Sequence, residues 1–412
     1  MKRRIDAIVL AGTQNYPKLD VDGGSEYKQF LKLGGQPILQ YVVDAALGCE
    51  EIHRVYVVSD VSRVYKELSE QSTNDWRLTP THDHGSYVEN IRATFFREVL
   101  PIAGHKKYLH FCSDEQRKDY SAQYGRFNAR RYHKQYLRDN PGAADQEVLI
   151  LYSDMPFVTS QDITRFLALR DRKADLNVGF VTAESMSALE SAVGASLSRP
   201  ELKTGMLPLG DTKIRFNNLF TLKPLKAAPG LWSVIQEFYN NRYVLRKTGK
   251  TNRKNRKSLR REVIRYSVSN LLRRPYMLES CLLGLKYFNT MLATHQGNGE
   301  HPVPSKEDFE DVIADLADIT PRAIMCDIVH PLLDIDNEEM YTLLKSNDEA
   351  LFKKILQVKR DYEPLPEQVL DSFVKIHEYY FQGKPIDRIA LEGPVVRLLK
   401  KARNVQFSAQ KS

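Results

Sequence analysis

The sequence has 412 residues, more than one ordinary domain needs, and its 42% hydrophobic and 27% charged content excludes a mostly disordered or collagen-like chain. Sixty Lys and Arg against 52 Asp and Glu give a net charge of +8. Two segments carry it: residues 105–138 hold a net +6 and residues 246–261 a net +9, which leaves −7 on everything else. Runs of this kind attract phosphates, an anionic membrane surface or nucleic acid. Cys49, Cys112, Cys281 and Cys326 stand far apart with no CxxC spacing, which argues against a zinc cluster or redox pair and for reduced thiols in a cytoplasmic protein. Met1-Lys2-Arg3-Arg4 leads into an apolar run broken at Asp6, so no signal peptide is expected. No stretch approaches the roughly 20 apolar residues of a membrane span.

In chain order, residues 5–11 (IDAIVLA) form a short apolar run that ends at Gly12, the pattern of a buried parallel strand entering a loop. Pro37 opens a helix over 37–47, with apolar residues at helical spacing. Residues 54–59 (RVYVVS) predict a strand, 86–100 an amphipathic helix, and 147–153 (EVLILYS) a third apolar strand that ends at Asp154. A helix over 160–173 starts at Ser160 with Asp162 suiting its dipole, and strands follow at 176–182 and 213–222. Strands alternating with helices predict an α/β fold with a mostly parallel sheet sandwiched by helices.

Residues 105–146, rich in Tyr, Arg and Lys and closed by Asn140-Pro141-Gly142, interrupt this alternation as an insertion. Tyr120, Tyr124, Phe127, Tyr132 and Tyr136 are of the kind that stack on bases, but no RNA-binding motif accompanies them and nucleic acid is not an expected partner. Residues 246–261 read as an exposed basic linker into a long helix over 258–294, whose apolar face carries Leu259, Val263, Ile264, Val268, Leu271 and Leu272. That pattern serves a helix packed on the sheet, the favoured reading, or a peripheral anchor on an anionic membrane. A loop over 296–304, a strand over 323–328 and a short helix over 337–345 follow. From 348 onward the pattern is helical, broken at Pro364, Pro366, Pro385 and Pro394.

Ligands of open α/β sheets bind at the carboxyl ends of the strands. Three such ends carry informative residues. Leu10-Ala11-Gly12-Thr13, then Gly23-Gly24-Ser25-Glu26-Tyr27-Lys28, is a small-residue turn that lets backbone N–H groups approach phosphates, with a cation to follow; such a turn is structural as often as functional. Asp154 in Ser153-Asp154-Met155-Pro156 directly follows an apolar strand, where a hard carboxylate holds Mg²⁺ or merely caps a turn. Asp334 and Asp336, two residues apart, share a face and repel one another unless a cation neutralises them; capping of the next helix is the plainer role. His82 and His84 flank Asp83, a loop pair more typical of solvated residues than of metal ligands.

Together these residues resemble the nucleotidyltransferase branch of the GT-A fold, the MobA-like NTP transferases. Leu10-Ala11-Gly12 is similar to that family's opening Leu-Ala-Gly-Gly loop. Lys28-Gln29-Phe30-Leu31-Lys32-Leu33-Gly34-Gly35-Gln36-Pro37-Ile38-Leu39 resembles its most specific segment. Gly85-Ser86-Tyr87-Val88-Glu89-Asn90, Ser153-Asp154-Met155-Pro156 and Asp334-Ile335-Asp336 resemble its nucleotide-contacting loop, its metal-binding Asp segment and its late second-ligand segment. The sequence departs where the family has a second Gly, here Thr13, and where it has an Arg in the same loop, with Lys18 as a candidate substitute. Asn217-Asn218 stands where related members place a Gly-Gly-Asn strand near the acceptor.

The resemblance implies a domain over 1–345 with insertions at 105–146 and 246–300, and a helical extension over 346–412 that packs on the core or self-associates. It implies Mg²⁺-dependent transfer of NMP from an NTP to a phosphorylated small-molecule acceptor, with release of pyrophosphate. Lys28 and Asp154 would be catalytic, and Asp154 and Asp336 would hold Mg²⁺. Leu10, Ala11, Gly12, Thr13, Gly85, Ser86 and Asn90 would bind the nucleotide. A glycosyltransferase of the same fold, or an inactive nucleotide-binding scaffold, is the alternative; the segment from Lys28 to Leu39 speaks against the former and the altered first loop keeps the latter open.

Overall fold

The structure is a computed structural model that describes residues 4–12, 18–21, 23–104, 135–194, 207–209, 212–227, 232, 236, 305–317, 319–335, 337–346 and 350–358. Thr13, Asp336, most of the first insertion, the basic linker, the helix expected over 258–294, the loop over 296–304, Cys112, Cys281 and all residues beyond 358 lie outside these.

In chain order the elements begin with β1 (Ile5–Leu10), a hairpin of β2 (Lys18–Val21) and β3 (Gly24–Tyr27), and a 3-10 turn at Lys28–Phe30. A small hairpin of β4 (Lys32–Leu33) and β5 (Gln36–Pro37) then leads into α1 (Ile38–Leu47). β6 (Ile52–Ser59), α2 (Val61–Glu67), α3 (Glu70–Thr73), β7 (Leu78–His82) and α4 (Tyr87–Thr94) follow, with α4 continuing through a π turn at Phe95–Val99. Next come β8 (Val148–Tyr152), α5 (Ser160–Leu169), β9 (Leu176–Thr182), α6 (Ala183–Val193), β10 (Leu207–Leu209) and β11 (Thr212–Leu222). α7 (Lys306–Ala317), β12 (Pro321–Cys326), α8 (Glu338–Ser346) and α9 (Ala350–Gln357) complete the described chain.

β1 is buried at every residue, as a central strand covered on both faces must be. It pairs in parallel with β6 on one side and β8 on the other. The sheet runs β12-β9-β11-β8-β1-β6-β7, with β10 added to β11. β11 alone is antiparallel to its neighbours β8, β9 and β10, so the expected mostly parallel sheet is what forms. Ile8 and Leu10 face a layer built on α4, with Val88, Ile91 and Phe95 beneath them. The opposite face of β1 and β6 is covered by α1, against which α5 packs in turn.

Several elements escaped the pattern-based reading. β7 carries Pro80, which reads as a strand breaker; β7 is the sheet's edge strand, where a missing N–H leaves no ladder bond unmade. The β2–β3 hairpin is short and polar, with too little apolar alternation to signal a strand. The helix starts at Ser160 as expected, with Thr159 as its cap: Thr159 Oγ1 accepts from Asp162 N–H while the Asp162 carboxylate accepts from Thr159 N–H; it ends at Leu169 and not at Lys173. The first compact unit runs through Val358. α9 belongs to it because Phe352, 1% exposed, packs its ring on Tyr41 and Phe157 at centroid distances of 5.5 and 5.1 Å. Of the extension expected from residue 346, α9 is thus packed on the core.

Tyr136, the one among the five candidate stacking residues that is described, is 3% exposed and lies in the α4-side core, so it is no base-stacking platform. Among the described residues no helix is long and apolar enough to cross a membrane.

Candidate functional site

The segment from Lys28 to Leu39 is a local machine for placing one lysine. Gly34 and Gly35, with φ of 57° and 82°, make the two-residue turn between β4 and β5, a conformation with two left-handed residues that Gly adopts without strain. The turn folds the chain back so that Ile38 N–H donates to Leu31 O at 2.9 Å and α1 begins at once. Gln29, buried, donates its side-chain amide to the carbonyls of Ala11 and Gly12 at 3.0 and 3.1 Å. That ties the 3-10 turn to the loop after β1. The preceding residue, Lys28, reaches the end of β8, where its ammonium pairs with the Asp154 carboxylate. Both side chains are mostly buried, at 13% and 9% exposure, so water screens this pair less than a surface ion pair.

Leu10 and Ala11 are buried, and Ala11 N–H donates to Val58 O at 3.0 Å. Gly12 has its neighbour pressed against it: a Cβ there would sit 3.0 Å from both Asn90 Nδ2 and Asp83 Oδ2. The loop after β7 is thus packed on the loop after β1, and Gly85, Ser86 and Asn90 come to the same sheet end as Gly12. Their local roles are distinct. Gly85 is left-handed at φ 79° and donates its N–H to Asp83 at 2.9 Å. Ser86 caps α4, its hydroxyl accepting from Glu89 N–H at 3.2 Å. Asn90 is fully buried; it accepts from His84 N–H at 2.7 Å and donates to Asp83 at 3.1 Å, so it holds the loop from beneath. Gln29 lies inside the Lys28–Leu39 segment and Asp83 between two histidines, yet nothing in the sequence marks either as the residue that organises these loops.

Ile335 N–H donates to the Asp154 carbonyl at 2.9 Å. The late segment therefore closes on the same strand end as Lys28, although about 180 positions separate it from Asp154 in sequence. Asp334 does not face a cation site there: it pairs with Arg215 of β11 at 3.3 Å. The β2–β3 hairpin spans this end of the sheet, with Glu26 paired to Arg63 of α2 and Asp20 N–H donating to Glu338 of α8 at 2.8 Å. Asn217 and Asn218 form an irregularity in β11 rather than an open face. Asn217 is fully buried against Cys326, and Asn218, left-handed at φ 63°, donates to Pro331 O at 3.1 Å.

Burial, with Arg97 second, holds His84 below the ordinary imidazole value. Burial pushes the thiols of Cys49 and Cys326 up to about 11 and about 12, which leaves neither as a nucleophile at neutral pH. No group of three His, Cys, Asp or Glu side chains among the described residues is placed to hold a metal ion by itself.

A family model described as the MobA-like NTP transferase domain matches residues 7–248. No curated protein matches the sequence. Among solved structures, a hypothetical transferase from Thermus thermophilus is 17% identical with a TM-score of 0.43, covering 82% of this chain and 98% of its own. CMP:2-keto-3-deoxy-manno-octonic acid synthetase, solved with CTP, is 11% identical with a TM-score of 0.31, over 61% of this chain and 82% of its own. The 4-diphosphocytidyl-2C-methyl-D-erythritol synthase of Anaerococcus prevotii is 10% identical with a TM-score of 0.29, over 62% and 81%.

Proposed function

Because this chain belongs to the MobA-like NTP transferase family, we propose that it transfers NMP from an NTP to a phosphorylated small-molecule acceptor and releases pyrophosphate. The observation that carries the reading is the Lys28–Asp154 pair at the carboxyl end of β8, beside a glycine-containing loop that Gln29 fixes. A mobile cation and a rigid carboxylate are the two charges that such a transfer needs. The acceptor phosphate oxygen attacks the α-phosphorus in line, the bond from that phosphorus to the α,β-bridging oxygen breaks, and pyrophosphate leaves with the electron pair. No covalent intermediate on the protein is required, so positioning and charge neutralisation supply the rate.

The donor set suits Mg²⁺ held jointly with a nucleotide. Mg²⁺ takes one or two protein carboxylates and completes its shell with phosphate oxygens and water, so a sparse set is what such a site needs. Asp154 is such a carboxylate, and its present partner is the Lys28 ammonium, a cation in the place a metal would claim. Asp336 follows Ile335 directly in the chain and is the expected second ligand. When bound, Mg²⁺ supplies charge neutralisation across the phosphates. On nucleotide arrival Lys28 turns from Asp154 to the α- and β-phosphate oxygens. Ala11 N–H is already given to Val58 O, so the backbone from Gly12 onward is what meets the phosphates, and the loop from Gly85 to Asn90 walls the base and ribose.

The test is a pyrophosphate-release screen over the four NTPs, with sugar phosphates, polyol phosphates and cofactor precursors as acceptors. Acceptor-dependent release is expected, and Asp154→Asn should slow it at least about a thousandfold, equivalent to about 4 kcal/mol. Nucleotide binding with no turnover on any acceptor would favour the scaffold, and hydrolysis of a nucleotide sugar would favour the glycosyltransferase.

A further inference from the structure

We infer that Arg215 is a positioning residue for the metal–nucleotide site, acting through Asp334 to hold the segment that closes on Asp154. This rests on the transferase reading above and extends it to residues not in contact with substrate.

Three contacts pin the short segment between β12 and α8 to the sheet. Asn218 donates to Pro331 O at 3.1 Å. Arg215 pairs with Asp334 at 3.3 Å. Ile335 N–H donates to Asp154 O at 2.9 Å. The first two come from β11 and the third from the strand end that carries the proposed metal ligand, so the segment bridges the two strands beyond their last ladder bonds. The Arg215–Asp334 pair is largely sheltered, with side chains 10% and 14% exposed. A guanidinium facing a carboxylate in such a place fixes a loop more firmly than a surface pair does, since screening is weak and both ends are rigid.

The local backbone is built to allow this. The register of β11 against β9 slips between Phe216 and Phe220, and the slip turns Asn217 inward and Asn218 toward Pro331. Room for it is made by Gly179 on β9: a Cβ at that position would lie 2.2 Å from the Asn217 side-chain oxygen. The acceptor role expected of Asn217-Asn218 is therefore replaced by a supporting one. The two groups that hold Asp154, Lys28 from one side and Ile335 from the other, come from opposite ends of the described chain. Losing a partner that orients a metal ligand typically costs about 10–100-fold in metal affinity.

The experiment measures Mn²⁺ affinity by electron paramagnetic resonance, with the full-length protein and each α,β-methylene NTP in turn. Wild type, Arg215→Gln, Asp334→Asn and the double variant are compared, alongside their thermal melts. Each single variant should weaken Mn²⁺ by about tenfold in the ternary complex. The double variant should be no weaker than the worse single one, because both remove the same link. Unchanged affinity, or losses that multiply, overturns the positioning role. If wild type itself binds no Mn²⁺ with any of the four analogues, the transferase reading fails first, and the inference with it. Should a single variant not melt cooperatively, Asn218→Gly carries the same test: it keeps the left-handed backbone, removes only the bond to Pro331, and should still weaken Mn²⁺, while unchanged affinity in that variant overturns the role.

Discussion

At the scale of single residues, the proposed reaction would make Lys28 compete with the proposed metal for Asp154, its partner in the structure. A lysine that must leave a carboxylate before a cation can settle there would raise the apparent metal dissociation constant, and under the same proposal that lysine would then neutralise phosphate charge. Lys28→Gln should therefore tighten Mn²⁺ binding in the absence of nucleotide while lowering the rate of pyrophosphate release by about a hundredfold or more. Titration of the apoprotein with Mn²⁺ and a turnover assay on the same preparation separate the two effects; loss of both, or of neither, contradicts this role. Lys28 and Asp154 were legible because each sits at a fixed offset from an apolar strand or a Gly-Gly turn. Asn217 and Asn218 were legible as unusual but not as supports, since their partners, Pro331 and Cys326, lie over 100 positions away. The partnership of Asp334 with Arg215 had no local signature at all.

At the scale of elements, apolar period and turn residues found the buried strands and α1, and failed where burial was one-sided or the partner distant. β7 and the β2–β3 hairpin are edge or exposed elements with weak patterning. α7 carried a readable start that went unread: Ser305 and Asp308 exchange backbone and side-chain bonds, at 2.8 and 3.0 Å, as in a capping box. α9 shows why a domain limit is hard to place from sequence. Its Phe352 and Ile355 are each 1% exposed, yet nothing before the fold says that they meet Tyr41 and Phe157. Phe352→Ala should cost about 3–5 kcal/mol of stability, as a large buried ring lost from a packed site does. Denaturant melts of the two proteins measure this directly. A loss within the range of a surface substitution would mean that α9 only rests on the domain.

At the scale of the whole molecule, the two basic segments that set the net charge lie almost wholly outside the described residues, which centre on the sheet. One carboxyl within it sets a pH dependence of its own. Asp6 lies in β1 at 5% exposure, with His53 Nδ1 3.2 Å away. Burial raises its pKa above the ordinary carboxylate range, and the pull of His53 and Arg54 offsets this only in part. A carboxyl raised in the folded state binds its proton more tightly there than in the unfolded chain. Its favourable contribution is complete below the unfolded value of about 3.9 and is lost as pH rises through the higher folded value. Asp75 runs the other way: the bond from the Arg77 guanidinium lowers its pKa, so its contribution is present at neutral pH and fades in acid. The total profile mixes such terms, and only a difference isolates Asp6. Asp6→Asn keeps the shape of the side chain and removes the titration. Its melting temperature minus that of wild type should be most positive at neutral pH and should fall steadily as pH drops toward 4. A difference that is flat across this range would show that Asp6 is ionised in the folded protein at no cost, with His53 and Arg54 compensating its burial in full.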